Sequence, residues 1–112
     1  MGLYSLRVYL HVMDGAIIAF RLPHKTEALE RNRFCQRFYG QDTSSGRGRY
    51  HHHKRGLLDE MPYRKLIRSV IVLRLEDVER VSRFLEGYNA EIHVRRIRLT
   101  TEDRRVLRVS QK

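Results

Sequence analysis

The residues best suited to chemistry lie between Arg31 and Arg55, RNRFCQRFYGQDTSSGRGRYHHHKR. Arg31, Arg33 and Arg37 occupy one end of this stretch, and Arg47, Arg49, Lys54 and Arg55 surround Tyr50 and a histidine triplet at the other. A guanidinium presents a planar fork of donors matched to phosphate, and it can stack on a base. Glycines at 46 and 48 allow backbone N–H groups to approach an oxyanion, and an aromatic ring offers a stacking platform. The chemistry these types support together is recognition of a polyanion. The expected phosphate contacts are Arg37, Arg47, Arg49 and Arg55, with Arg33 on the same helical stripe as Arg37. Tyr39 and Tyr50 are the expected stacking residues, and His51, His53 and Lys54 complete the contact set. The plainer reading of residues 47–55 is an edge strand blunted by charge against aggregation. One or two charges serve that purpose, and this run holds more.

Other chemistries find less support. Alternation along a strand lets only His51 and His53 of the triplet share a face, and His24, Cys35 and Asp42 complete no recognised metal-ligand spacing. No metal and no cofactor are therefore expected. The acidic pairs Glu76-Asp77 and Glu102-Asp103 stand where helices begin, which helix-dipole complementarity explains. Asp59-Glu60 has no such explanation, so a divalent-metal nuclease using Asp59, Glu60 or Asp14 is the enzymatic alternative. The chain has no Gly-x-Ser-x-Gly, phosphate-loop, dinucleotide or Cys-x-x-Cys motif. Cys35 falls beside Phe34 and Phe38 and reads as a core residue. A second cationic group, Arg95, Arg96, Arg98, Arg104, Arg105 and Arg108, either extends the basic surface or merely solvates its far side.

Composition points the same way. The formal net charge is +10 over 112 residues, with 23 Lys and Arg against 13 Asp and Glu. Such an excess costs self-repulsion and implies a nucleic acid or another anionic partner. The lysines are Lys25, Lys54, Lys65 and Lys112; the remaining cations are arginine. A single cysteine forms no internal disulfide, which suits a reducing compartment. No apolar run reaches a membrane span and no signal-peptide pattern opens the chain, so the expectation is cytoplasmic with no membrane partner.

The elements that must position these residues follow from periodicity. Residues 3–12 alternate strictly and read as a strand rather than as an over-extended start before Met13. Asp14-Gly15 reads as a tight hairpin turn, and residues 16–21 as the second strand. Thr26 is the expected N-cap of a helix that ends at Tyr39 before Gly40. Residues 40–48 read as a loop and 49–55 as an edge strand or arm. Residues 59–65 read as a connection, and Ile67–Leu73 as a β-branched strand. A helix over Glu76–Glu86 stops at Gly87. Residues 91–99 form a strand with a bulge near Arg95-Arg96, where the apolar parity changes. Thr100 and Asp103 resemble a capping box that opens a short C-terminal helix.

The length suits a single domain over 1–112. The fold class is α+β: an antiparallel sheet with two helices on one face. With the first hairpin strand set aside, the order is β-α-β-β-α-β, that of the ferredoxin-like unit. Many functions use that architecture, so function rests on the basic stretch. The expectation is a non-enzymatic nucleic-acid-binding protein, with RNA favoured over DNA because single-stranded RNA offers splayed bases for stacking. The remaining alternative is a protein-interaction module of a ribonucleoprotein or mobile-element complex. The edge near 47–55 also suits homodimer pairing.

Overall fold

The computed structural model describes residues 13–45 and 50–109. The expected strand at 3–12 lies outside the described residues. The elements in chain order are β1 (Asp14–Arg21), α1 (Ala28–Tyr39), β2 (Gln41–Ser45), β3 (Tyr50–Lys54), a 3-10 turn (Leu57–Glu60), β4 (Tyr63–Ile67), β5 (Val70–Arg74), α2 (Val78–Glu86), β6 (Glu91–Arg98) and α3 (Thr101–Leu107). The class is α+β, with a four-stranded antiparallel sheet and three helices. Two compact units are present: one holds β1 and the chain from Pro62 onward, the other is Leu22–Met61. No described helix is long and apolar enough to cross a membrane.

The first unit is built on the sheet β4-β5-β1-β6. Directly opposed residues share a face, so the register Ala16↔Leu73, Ile18↔Ile71 and Ile18↔Val94 gathers one apolar face. Ile18, Ile71 and Leu73 on that face are fully buried. The opposite face carries Val72, which clusters with Leu99 and Leu107 and with the partly buried Ile17 and Ile97. Leu107 brings α3 into that cluster. The helix starts as its sequence implies: Thr100 accepts from the Asp103 N–H at 3.0 Å, and Asp103 accepts from the Thr100 N–H at 3.0 Å. Asp103 is buried and also accepts from Arg64 at 2.8 Å.

Several expectations are corrected here. Asp14 and Gly15 make no turn; they are paired strand residues, opposite Arg98 and Ile97. The strand expected at Ile67–Leu73 is the second half of a hairpin. The chain reverses at Arg68-Ser69, with Ser69 at φ 66, and Tyr63–Ile67 forms the neighbouring strand. That strand escapes a periodicity reading because it is an edge, with Lys65, Leu66 and Ile67 all exposed. The sheet's bulge falls between Lys65 and Ile67, whereas β6 pairs without interruption from Glu91 to Arg98. The apolar parity of β6 changes at Arg95-Arg96 without a break in its ladder to β1, because Val94 lies on the Ile18 face of the sheet and Ile97 on the Val72 face. The arm at 50–54 takes no part in this sheet; it pairs with β2 in a separate two-stranded ladder.

The second unit contains α1 and that ladder. Phe34 and Phe38, four apart, are buried and stack at 5.2 Å. Leu58 of the 3-10 turn is buried as well, and this turn lies against α1. The helix N-cap is Glu27, one residue later than expected, with no side-chain cap bond. The loop before it is held instead by Arg31, which donates to the carbonyls of Thr26 at 3.2 Å and Pro23 at 3.3 Å. Cys35 is exposed, contrary to its core reading. At 100° per residue it is turned well away from the Phe34–Phe38 stripe, which is narrow in a helix this polar.

Candidate functional site

The site grows from the C-terminal half of α1 and the end of β3. Burial of Phe34 and Phe38 fixes the rotation of the helix, which leaves Arg33, Gln36 and Arg37 exposed. These three side chains line a pocket of ≈ 330 Å³ together with Lys54 and Arg55. Strict alternation would send Lys54 and Arg55 to opposite faces. The strand ends at Lys54, so Arg55 leaves the pleat and both cations reach the same cavity. The polar lining is completed by the Gln36 amide, which can both donate and accept. Among the described residues, Arg33 and Lys54 carry no ion pair. Four cations around one small concavity repel each other, and an anion placed between them relieves that repulsion.

The strand wall of the pocket is held by His53. Its Nδ1 lies 2.7 Å from Oδ1 of Asp42, and its Nε2 lies 2.6 Å from Oδ2 of Asp59. Asp42 is the residue directly across the ladder from His53. A neutral imidazole has one N–H, so bonds from both nitrogens to ionised carboxylates require the imidazolium. The Asp42 bond first, and the Asp59 bond next, raise the His53 pKa above 6.5. Asp59 is in turn held below the usual carboxylate range, first by the Gly56 N–H, which donates to it at 2.8 Å, and then by His53. The clasp therefore ties β2, β3 and the 3-10 turn together.

Two glycines make the close approach possible. Gly40 ends α1 at φ 88, and a Cβ there would lie 2.6 Å from each of Asp59 Oδ2, His53 Nε2 and the Lys54 carbonyl. A Cβ on Gly56 would lie 2.2 Å from the Gly40 nitrogen and 2.7 Å from the Phe38 carbonyl.

The expected contact residues thus separate. Arg33, Arg37, Lys54 and Arg55 come together around the pocket. His53 has both ring nitrogens engaged by carboxylates and acts as a fastener. Tyr39 is half-buried and meets Phe38 edge-on at 4.9 Å. Tyr50 and His51 are placed by backbone register only, opposite Ser45 and Ser44. Arg47 and Arg49 lie outside the described residues. Gln36 was not expected here, and Asp42 and Asp59, weighed above for metal chemistry, are instead the partners of His53. The i, i+3 spacing from Arg33 to Gln36 was the available signal for the first, but nothing local pairs Asp42 with Asp59.

The carboxylates considered for metal chemistry have other partners: Asp59 takes His53 and the Gly56 N–H, and Asp14 pairs with Arg96 at 2.9 Å. Among the described residues, no group of three His, Cys, Asp or Glu side chains is arranged to hold a metal ion. The chain matches no protein-family model, no curated protein and no solved structure.

Proposed function

We propose that this protein is a small, non-enzymatic nucleic-acid-binding protein that contacts phosphates through the basic stretch, with RNA favoured over DNA. The observation that carries the reading is the pocket between α1 and the end of β3, lined by Arg33, Arg37, Lys54 and Arg55. It sits in a chain of net charge +10. Arginine forks suit phosphate oxygens, and a sequence-independent phosphate term dominates affinity in proteins of this kind. Arg47 and Arg49 extend the same cationic stretch in sequence, and Tyr50 adds a ring for base stacking.

The test is anisotropy binding to labelled single- and double-stranded RNA and DNA at two salt concentrations, with and without Mg²⁺. Binding should weaken steeply with salt. Replacing Arg33 and Arg55 together by Ala should flatten the slope of log affinity against log salt by ~1–2 units. Weak binding to all four nucleic acids at physiological salt would overturn the reading. Mg²⁺-dependent cleavage that disappears in Asp59→Asn would replace it with the nuclease.

A further inference from the structure

We infer that the pocket is a receptor for a terminal phosphate, a phosphomonoester at the end of a nucleic-acid strand, rather than one more contact along the internal backbone; this rests on the nucleic-acid reading above. The first reason is geometric. A duplex spreads one charge over about 1.7 Å of axis, and a surface that tracks it needs its cations in a row. Here Arg33, Arg37, Lys54 and Arg55 instead converge on one concavity of ≈ 330 Å³. That volume is at the small end of ligand pockets, about 300–1,000 Å³, and suits a phosphoryl group with part of its sugar.

The second reason is charge. An internal phosphodiester carries a single negative charge, whereas a phosphomonoester carries about −1.5 to −2 near neutral pH and exposes three acceptor oxygens. Attraction scales with the product of charges, so clustered cations discriminate in favour of the monoester. The Arg33 and Arg55 forks and the Lys54 ammonium supply donors enough for those three oxygens, while a diester offers only two unbridged ones. The Gln36 amide stands at the same wall and can donate to a bridging or sugar oxygen.

The third reason is preorganisation. The His53 clasp, with Gly40 and Gly56 packed beneath it, fixes the backbone that carries Lys54 and Arg55. The buried Phe34–Phe38 stack fixes the helix that carries Arg33 and Arg37. The cations are therefore held near one another before any ligand arrives, which lowers the cost of ordering them on binding.

The experiment uses one short, internally labelled single-stranded RNA in three forms: with a 5′-phosphate, with a 3′-phosphate, and with hydroxyls at both ends. Above pH ~7 the monoester is fully ionised, and one charge-assisted contact corresponds to about tenfold in affinity. The full-length protein should therefore bind one or both phosphorylated forms about tenfold more tightly than the hydroxyl form. The arm that gains identifies which end is read. Arg33→Gln with Arg55→Gln should weaken all three forms and erase the preference, so that the variant binds phosphorylated and hydroxyl forms equally; Arg33→Lys with Arg55→Lys should retain part of the preference. Equal, tight binding of all three forms by the wild-type protein would overturn the terminal-phosphate inference and leave the broader reading standing. Failure to bind any form would overturn both. A measurement on the wild-type protein needs no variant: adenosine monophosphate, but not adenosine, should shift the backbone amide signals of Arg33, Arg37, Lys54 and Arg55. Shifts confined to other residues would remove the pocket from the proposal.

Discussion

The two units of this protein use arginine in opposite ways. In the sheet unit six guanidinium groups are paired with carboxylates in place. Arg21 meets Glu91 at 2.6 Å, Arg64 meets Asp103 at 2.8 Å, Arg74 meets Asp77 at 2.9 Å and Arg96 meets Asp14 at 2.9 Å. Arg83 meets Glu79 at 2.5 Å, and Arg105 pairs with Glu102. In the helix–hairpin unit, Arg33, Arg37, Lys54 and Arg55 face one cavity, and the neighbouring acids Asp42 and Asp59 are directed at His53 instead. A count of cations treats both sets alike. Their partners separate arginines that brace a fold from a cluster in which, among the described residues, Arg33 and Lys54 carry no ion pair.

The sharpest way to break this contrast is to disturb the packing under the pocket. Gly56→Ala places a Cβ against the backbone of Phe38 and Gly40, where nothing flexible can yield. The expected loss is about 2–4 kcal/mol in unfolding free energy, read from the denaturant midpoint. A variant as stable as wild type would show that the helix end and the 3-10 turn are not packed this closely.

Asp103→Ala probes the structural kind of acid–arginine pair. It removes a buried carboxylate that caps α3 and holds Arg64. Stability should fall by about 2–3 kcal/mol, with RNA affinity altered far less than in the Arg33 and Arg55 variants. A large loss of binding at unchanged stability would make the sheet unit part of the interface.

The clasp gives a pH signature. His53 has a raised folded pKa, so its contribution is fully present below the unfolded value of 6.5 and is lost as pH rises through the higher folded value. Asp59 has a depressed folded pKa, so its contribution is present above 3.8 and is lost as pH falls through the lower folded value. The clasp is strongest between those limits. Melting temperatures of wild type and His53→Asn should diverge most in that window and converge as pH is raised. Parallel curves across the whole range would mean that His53 is not held as an imidazolium.

The smallest effect belongs to the exposed pairs of the sheet unit. Arg83→Ala or Arg105→Ala should change stability by less than about 1 kcal/mol. Neither should change the salt slope of nucleic-acid binding beyond the general loss of one charge. A drop comparable to that of the pocket variant would erase the distinction between the two sets.

Much of this organisation is legible along the chain because its causes are local. The Phe34–Phe38 spacing sets the buried face of α1, and therefore which arginines stay in water. Gly40 marks the helix end because φ 88 suits a residue without a Cβ. Thr100 and Asp103 announce the start of α3, since a cap is satisfied within three residues. The +10 charge and its density near Arg55 are properties of composition. What only the tertiary structure decided is the pairing of residues distant in sequence. The edge strand β4 has no apolar pattern of its own and is defined by its ladder to β5. His53 looked like a ligand contact until Asp42, eleven residues before it, and Asp59 were placed on its two nitrogens. Whether an arginine is neutralised depends on such placements, because a charge acts through space on whatever the fold brings within a few ångströms.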